Sequence, residues 1–195
     1  MPSIPVYTIG YGNRSIGDFI KLLQVYDIKF LVDIRSQPYS RYNPDFSKED
    51  LEKYLKQHLI SYVYMGDTLG GRPKDSSCYT DDGRVNYTIL REKDFYQRGI
   101  SRLRTAWEKQ LPFAIMCSEA RPQECHRGKL IGNTLLDKNM GVAHIDESGN
   151  IKTQEEINQI FTNRQPSLFD QGSQSTLNEK IGISRKKYVQ ARESA

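Results

Sequence analysis

The 195-residue sequence has few cysteines, few apolar residues and no long apolar run. Three cysteines are an odd number, and no secretory signal precedes the first predicted strand. This pattern argues against a disulfide framework and favours reduced thiols in the cytoplasm. No apolar stretch approaches the roughly 20 residues that cross a membrane. The hydrophobic fraction of 37% is low, yet it still allows a folded core.

The positive charge is concentrated near the end of the sequence. Residues 171–195 hold five basic and two acidic side chains, so only +1 of the net charge of +4 belongs to residues 1–170. A basic tail of this kind is typical of a solvated segment rather than of a docking site. Any basic surface on the folded part must therefore be a local arrangement of arginines.

Strand and helix patterns alternate along the first 162 residues. Short runs rich in β-branched and aromatic residues predict strands at 6–12, 28–34, 60–65, 113–116 and 142–145. Helical periodicity follows Ser15, a predicted N-cap, and Ser47, which with Asp50 predicts a capping box. It recurs at 90–110, 127–138 and 153–161. The sequence therefore predicts one α/β domain over residues 1–162, with a mostly parallel sheet of about five strands flanked by helices. Residues 163–195 are rich in Gln, Ser and charge and predict a disordered tail.

The most informative stretch is 112–127. The apolar strand at 113–116 leads into Cys117 and Glu119, and a helical pattern resumes after Cys125, His126 and Arg127. In parallel α/β folds, the carboxyl end of a strand and the next helix form the rim of the ligand crevice. The reactive side chains are therefore expected at the place where such folds bind ligands.

Three kinds of chemistry fit this cluster. Two thiols and an imidazole could hold zinc, although the spacing differs from paired Cys-x-x-Cys motifs, and adjacent Cys125 and His126 are not expected to point the same way on a helix. A cysteine near His and Arg favours a thiolate, either as a nucleophile or as a redox pair with Cys117. Alternatively, Glu119 acts as a general acid or base. The structural alternative is that the cysteines are buried packing residues.

Arginines at other strand ends predict an anion-binding rim. Asp33 and Arg35 follow the second strand, with Arg41 nearby, and Arg72 closes a glycine-rich turn after the third. Either Asp33 and Arg35 form a stabilising ion pair or the arginines clamp a phosphate or carboxylate. No cofactor motif is visible, since Gly10-Tyr-Gly12 lacks the third glycine of a dinucleotide fingerprint. His144 is expected to be a core histidine.

Four motifs in order resemble those of a known family. They are Thr8-Ile-Gly10, Val32-Asp-Ile-Arg-Ser36 with Pro38, Ser40 and Arg41, Leu69-Gly-Gly-Arg72, and Met116-Cys-Ser-Glu119 with Pro122 and Cys125-His-Arg127. Over about residues 5–165 the chain resembles the family called domain of unknown function number 488. The resemblance implies a site made of Asp33, Arg35, Ser36, Arg41, Arg72, Cys117, Glu119, Cys125, His126 and Arg127. It implies no particular reaction.

A short peptide in the tail, Gln165-Pro-Ser-Leu-Phe169, bears on partners. It resembles the clamp-binding peptide of bacterial replication and repair proteins, in which a Gln and a Leu-Phe pair, here Gln165, Leu168 and Phe169, anchor in a groove. The alternative is a strap that folds back on the domain. The leading sequence-based hypothesis is thus an intracellular, hydrolase-like enzyme acting on a nucleic acid or nucleotide, with DNA repair or modification as its setting. The alternatives are a non-catalytic nucleic-acid-binding module and a thiol-dependent redox or sulfur-transfer protein.

Overall fold

The computed structural model describes residues 4–162 and shows an α/β fold. The strands are β1 (Val6–Gly10), β2 (Phe30–Asp33), β3 (Ser61–Tyr64), β4 (Phe113–Cys117), β5 (Val142–Ile145) and β6 (Ile151–Thr153). The α-helices are α1 (Ile16–Val25), α2 (Lys48–Gln57), α3 (Gly66–Leu69), α4 (Tyr87–Glu92), α5 (Asp94–Glu108), α6 (Asn133–Asp137) and α7 (Gln154–Thr162). The predicted tail and its peptide, residues 163–195, lie outside the described residues.

The six strands form one sheet in the order β3-β2-β4-β1-β5-β6. All pairs are parallel except β5 with β6, which is antiparallel. The mostly parallel sheet predicted from the sequence is confirmed. The sixth strand was not predicted, because three residues are too few to show alternation. It forms a hairpin with β5, in which the carboxylate of Asp146 accepts hydrogen bonds from the backbone N–H groups of Ser148 and Asn150.

Helices cover both faces of the sheet. On one face α1 and α2 pack on Ile9, Leu31 and Met116; on the other, α5 and α6 pack on Val32 and Ile115. Successive residues of the central strands β2 and β4 thus enter different cores, which is why these strands are largely apolar. Within residues 4–162, no helix combines the length and apolar character needed to cross a membrane.

The helix predicted for 90–110 is wrong as a single element. Lys93 has an extended backbone (φ −73°, ψ 135°), so α4 ends and α5 begins on either side of it. Its ammonium group contacts Asp75 at 2.8 Å and Ser77 Oγ at 2.6 Å, both in the preceding loop. These contacts hold Lys93 in the break between the helices.

The helix predicted for 127–138 is also divided. Residues Arg127–Gly132 form a π-helix, and α6 continues from it. The side chain of Gln154 donates a hydrogen bond to the carbonyl of Gly128 at 3.0 Å. A side chain that bonds to a backbone carbonyl competes with the i→i−4 hydrogen bonds of an α-helix, and a wider π-helical turn results.

The predicted capping box at Ser47 is wrong in its hydrogen bonding. Ser47 occupies the N-cap of α2, but its Oγ accepts no bond from the helix. It accepts the backbone N–H of Ser40 at 3.2 Å instead. Its hydroxyl therefore fixes the loop between β2 and α2 rather than the helix. The predicted cap of α1 is confirmed, because Ser15 Oγ accepts from the N–H of Asp18 at 3.1 Å.

Candidate active site

The carboxyl end of β4 lies between the ends of β1 and β2. Gly10 pairs with Cys117 and Asp33 pairs with Met116, so the three strands end at one edge. The helices after β1 and β2 lie on one face, whereas the helix after β4 lies on the other. Neighbouring strands whose connections leave on opposite faces form the crevice in which open α/β sheets bind ligands.

Two cysteines meet at this edge. Cys117 is the last residue of β4, and Cys125 follows the 3-10 helix Pro122–Glu124. Their Sγ atoms are 2.7 Å apart, with the Cys125 thiol donating to Cys117, and the side chains are 3% and 2% exposed. The sequence alone predicts neighbours but not this contact, because seven residues lie between the two cysteines.

His126 completes a cluster of three. Its Nδ1 lies 3.7 Å from Cys117 Sγ and 3.6 Å from Cys125 Sγ. The expectation that Cys125 and His126 could not point the same way is wrong. Cys125 has an extended backbone (φ −123°, ψ 152°) and lies before the helical segment, so the alternation of a helix does not apply to it.

Glu119 connects the cluster to solvent. Its Oε2 accepts a hydrogen bond from the Cys117 thiol at 2.8 Å. The same residue lines an open cleft of about 470 Å³ together with Tyr11, Gly12, Asn13, Ser40, Tyr42, Asn43 and Ser118. The cleft therefore adjoins the thiols through Glu119. Sequence reasoning missed the two asparagines and Tyr42. Their position shortly after β1 and β2 was the available signal.

The environment favours ionisation of one thiol. The hydrogen bond from Cys125, opposed by burial and helped by His126, lowers the pKa of Cys117 to about 6. Burial and the adjacent Cys117 raise the pKa of Cys125. The two thiols form a pair that loses one proton easily and holds the second tightly. Cys117 is therefore the first of the pair to ionise, and as a thiolate it no longer donates to Glu119, whose charge opposes the ionisation.

The two cysteines also shift the pKa values of the groups beside them. Burial lowers the pKa of His126, but the hydrogen bond and charge of Cys117 outweigh it, and the net shift is upward. While both cysteines are protonated, burial raises the pKa of Glu119, but the hydrogen bonds from the two thiols outweigh it, and the net shift is downward. His126 thus tends towards the imidazolium that stabilises a neighbouring thiolate.

Arg127 is fully buried beneath the loop after β4. Its Nη1 donates to the carbonyl of Glu119 at 2.6 Å and its Nη2 to that of Ala120 at 2.8 Å. Burial lowers the pKa of its guanidinium. The sequence predicts Arg127 as a substrate-binding group, and the structure gives it loop carbonyls as partners. It therefore orients Glu119.

Asp33 and Arg35 form a buried ion pair at the end of β2. Arg35 Nη2 lies 2.6 Å and Nε 3.1 Å from Asp33 Oδ2, and the hydroxyl of Tyr62 donates to the same oxygen at 2.8 Å. Burial lowers the pKa of Arg35, but Asp33 outweighs it and the net shift is upward. The guanidinium lies 5.4 Å from the ring centre of Tyr11, in the cleft wall. Of the two sequence-based alternatives, the geometry is that of the ion pair.

The remaining predicted residues link the loops around the site. Ser36 Oγ accepts the backbone N–H of Arg72 at 2.8 Å, while the side chains of Arg41 and Arg72 are exposed. Gly71, which precedes Arg72, lies against the ring of His126. A Cβ added to Gly71 would be 2.7 Å from His126 Nδ1. This close approach requires glycine. The exposed arginines remain predicted substrate-binding groups.

His144 is a satisfied core histidine, as predicted. Its Nδ1 pairs with Thr8 Oγ1 and its Nε2 with Gln154 Oε1, both at 2.7 Å. Complete burial lowers its pKa to about 3. It therefore stays neutral and does not belong to the thiol cluster.

Cys117, Cys125 and His126 could together hold a metal ion, since their ligand atoms lie within 4.8 Å of one another. Two thiolates and an imidazole are a donor set that zinc accepts. However, Zn–S bonds of about 2.3 Å in tetrahedral geometry place the two sulfurs about 3.8 Å apart. The 2.7 Å between the sulfurs is shorter than this spacing by about 1 Å and longer than the about 2.05 Å of a disulfide bond, so it does not decide between a zinc site and a redox pair.

Fold and site together define an α/β protein with a two-cysteine cluster at the switch point of its sheet. The sequence pattern of the family described as Domain of unknown function DUF488 matches residues 15–133. Because this match covers more than half of the chain, the protein belongs to that family. It includes every site residue from Asp33 to Arg127 that the resemblance implies. No curated protein and no solved structure matches the chain.

Proposed function

We propose that the protein is a thiol-dependent redox or sulfur-transfer enzyme in which Cys117 is the nucleophile and Cys125 the second thiol of a redox pair. The observation that carries the proposal is the 2.7 Å contact between the two Sγ atoms. The pKa of Cys117, lowered to about 6 by Cys125 and His126 against the effect of burial, supplies a thiolate at neutral pH. Such a thiolate is the reactive form of cysteine.

The chemistry follows from this arrangement. The Cys117 thiolate attacks an electrophilic atom of the substrate, and a leaving group departs with its electron pair. Cys125 then gives up its proton and attacks Cys117 Sγ, which forms a disulfide and releases the product with two added electrons. A separate thiol reductant restores both cysteines. Because Cys117 is 3% exposed, the side chain of Glu119 must move aside for the substrate to reach the sulfur.

Oxidation by glutathione disulfide tests this proposal. The intact protein should lose two hydrogens in mass and bind no glutathione. Cleavage after glutamate separates Cys117 from Cys125, because Glu119 and Glu124 lie between them. The two fragments should remain joined until a reductant is added. Cys78→Ala serves as the control, because this third thiol is buried elsewhere. Stable glutathione adducts on separate cysteines would contradict the proposal.

A hydrolase acting on a nucleic acid or nucleotide is the second candidate. Glu119 favours it, because this carboxylate lines the cleft. Against it, the hydrogen bonds that outweigh the effect of burial lower the pKa of Glu119, and a weaker base removes a proton less readily. Once a substrate is known, Glu119→Gln should abolish hydrolysis while Cys117→Ser retains it. A non-catalytic binding module would tolerate both changes.

A further inference from the structure

The loop between β2 and α2 presents two tyrosines to solvent. Tyr39 is 71% exposed and Tyr42 is 96% exposed, the two highest values among the aromatic side chains of residues 4–162. Arg41, between them in sequence, is also exposed. Tyr42 lines the cleft that contains Glu119. Exposure this high is unusual for tyrosine, because most tyrosines bury part of their ring.

The exposure is not a result of a loose loop. Phe46 is fully buried and its ring stacks on Tyr11 at 4.3 Å. Ser40 Oγ accepts from the hydroxyl of Tyr11 and from the N–H of Asn43, both at 3.3 Å. The side chain of Asn43 donates to the carbonyl of Arg14 at 3.1 Å. Buried contacts and hydrogen bonds therefore hold the loop in place, while Tyr39 and Tyr42 are exposed to solvent.

The cleft beside these rings is polar. Asn13, Asn43, Ser40 and Ser118 contribute amide and hydroxyl groups, and Glu119 contributes a carboxylate. These groups suit the N–H and carbonyl edges of a nucleobase. A carboxylate in the cleft disfavours a phosphate there, and two site arginines, Arg35 and Arg127, already have protein partners. The cleft therefore fits a base better than a phosphate.

We infer that the loop and cleft bind single-stranded nucleic acid, with bases stacked on Tyr39 and Tyr42 and an unpaired base directed towards Glu119. Exposed Arg41 and Arg72 then contact the backbone phosphates outside the cleft. Stacking platforms flanked by cations are the usual means of binding single strands. A mononucleotide is the poorer fit, since Tyr39 and the exposed cations Arg41 and Arg72 are not among the residues that line the cleft. This inference rests on the proposed function in one respect: it names single-stranded nucleic acid as the substrate class of the proposed enzyme. The binding itself does not depend on the thiol chemistry.

Fluorescence anisotropy with a labelled oligodeoxythymidine of about twelve nucleotides tests the inference. The full chain should bind with a Kd between about 1 and 100 μM, because the net charge is small. Tyr39→Ala/Tyr42→Ala should weaken binding at least about tenfold through lost stacking. Tyr39→Phe/Tyr42→Phe keeps the rings and should bind nearly as wild type. Circular dichroism confirms that the exposed substitutions leave the fold intact.

Charge is tested separately. Arg41→Gln should reduce the slope of log affinity against log salt by about 0.7, the value for one phosphate on a single strand. Arg104→Gln is the matched control, because Arg104 is an exposed arginine of α5, on the other face of the sheet. It should leave the slope unchanged.

Four outcomes would overturn the inference: no binding, equal binding of thymidine monophosphate, equal binding of duplex DNA, or unchanged affinity in the double alanine variant. Failure of binding would leave the oxidation experiment untouched, and failure of oxidation would leave the binding result intact. The two proposals can therefore fail independently.

Discussion

The ionisation of Cys117 can be measured and altered through a single neighbour. Replacement Cys125→Ala removes the hydrogen bond that contributes most to lowering the pKa of Cys117. The titration midpoint of the Cys117 thiolate should then rise from about 6 in the wild type towards the ordinary value. His126 remains to lower the pKa in part, so the shift should be incomplete.

The expected difference is large at neutral pH. A thiol with a pKa of about 6 is about 90% ionised at pH 7, whereas one at the ordinary value of about 8.5 is about 3% ionised. The wild type should therefore carry about one thiolate per chain at pH 7. The Cys125→Ala variant should carry a clearly smaller fraction.

The same shift predicts how stability depends on pH. Because the pKa of Cys117 is lower in the folded protein, its contribution to stability is fully present above about pH 8.5. It is lost as the pH falls through about 6. The urea midpoint of the wild type, relative to Cys117→Ala, should therefore increase from pH 6 to pH 8.

Ultraviolet absorbance of the thiolate is the suitable assay, since it needs no reagent to reach a buried sulfur. Cys78→Ala is the matched control, because burial raises the pKa of Cys78 and this thiol should add no signal near pH 6. A wild-type midpoint at or above about 8, or one unchanged by Cys125→Ala, would refute the reasoning.

Three further changes test other parts of the structure. Gly71→Ala should push His126 away from the thiols and raise the pKa of the thiolate in the same absorbance titration; an unchanged midpoint would mean that the imidazole does not contribute. Arg127→Met should lower the free energy of unfolding in urea by about 3 kcal/mol, because two backbone carbonyls lose their charged donor, and a loss below about 1 kcal/mol would contradict that role. In the tail, Leu168→Ala/Phe169→Ala should abolish binding to a bacterial sliding clamp, measured by surface plasmon resonance; retained binding would exclude the proposed peptide.

Much of the fold could be predicted because each strand is a short apolar run ended by turn residues. The segment 28–34, for example, leads from apolar residues into Asp33, and this pattern is local. The breaks at Lys93 and in the segment Arg127–Gly132 could not be predicted, because contacts from Asp75 and Gln154, distant in sequence, produce them. The hairpin strand β6 is too short to leave a pattern.

The candidate site, like the fold, could be predicted from the sequence only in part. The sequence placed Cys117, Glu119 and the Cys125-His126 pair near one strand end, because a parallel sheet brings strand ends to one edge. It could not tell which arginines are free. Arg127 and Arg35 have the same chemistry as Arg41 and Arg72, and only packing distinguishes the buried pair from the exposed pair.

By itself, then, the sequence determined the order of the five longer strands and of the main helical segments, the family, and the kinds of reactive groups at the strand ends. These properties depend on local periodicity and on residue identity. Tertiary structure alone decided that two sulfurs lie 2.7 Å apart, that Glu119 faces both thiol and cleft, and that Tyr39 and Tyr42 face solvent. Such contacts join segments distant in sequence, and only the packing of helices on both faces of the sheet fixes them.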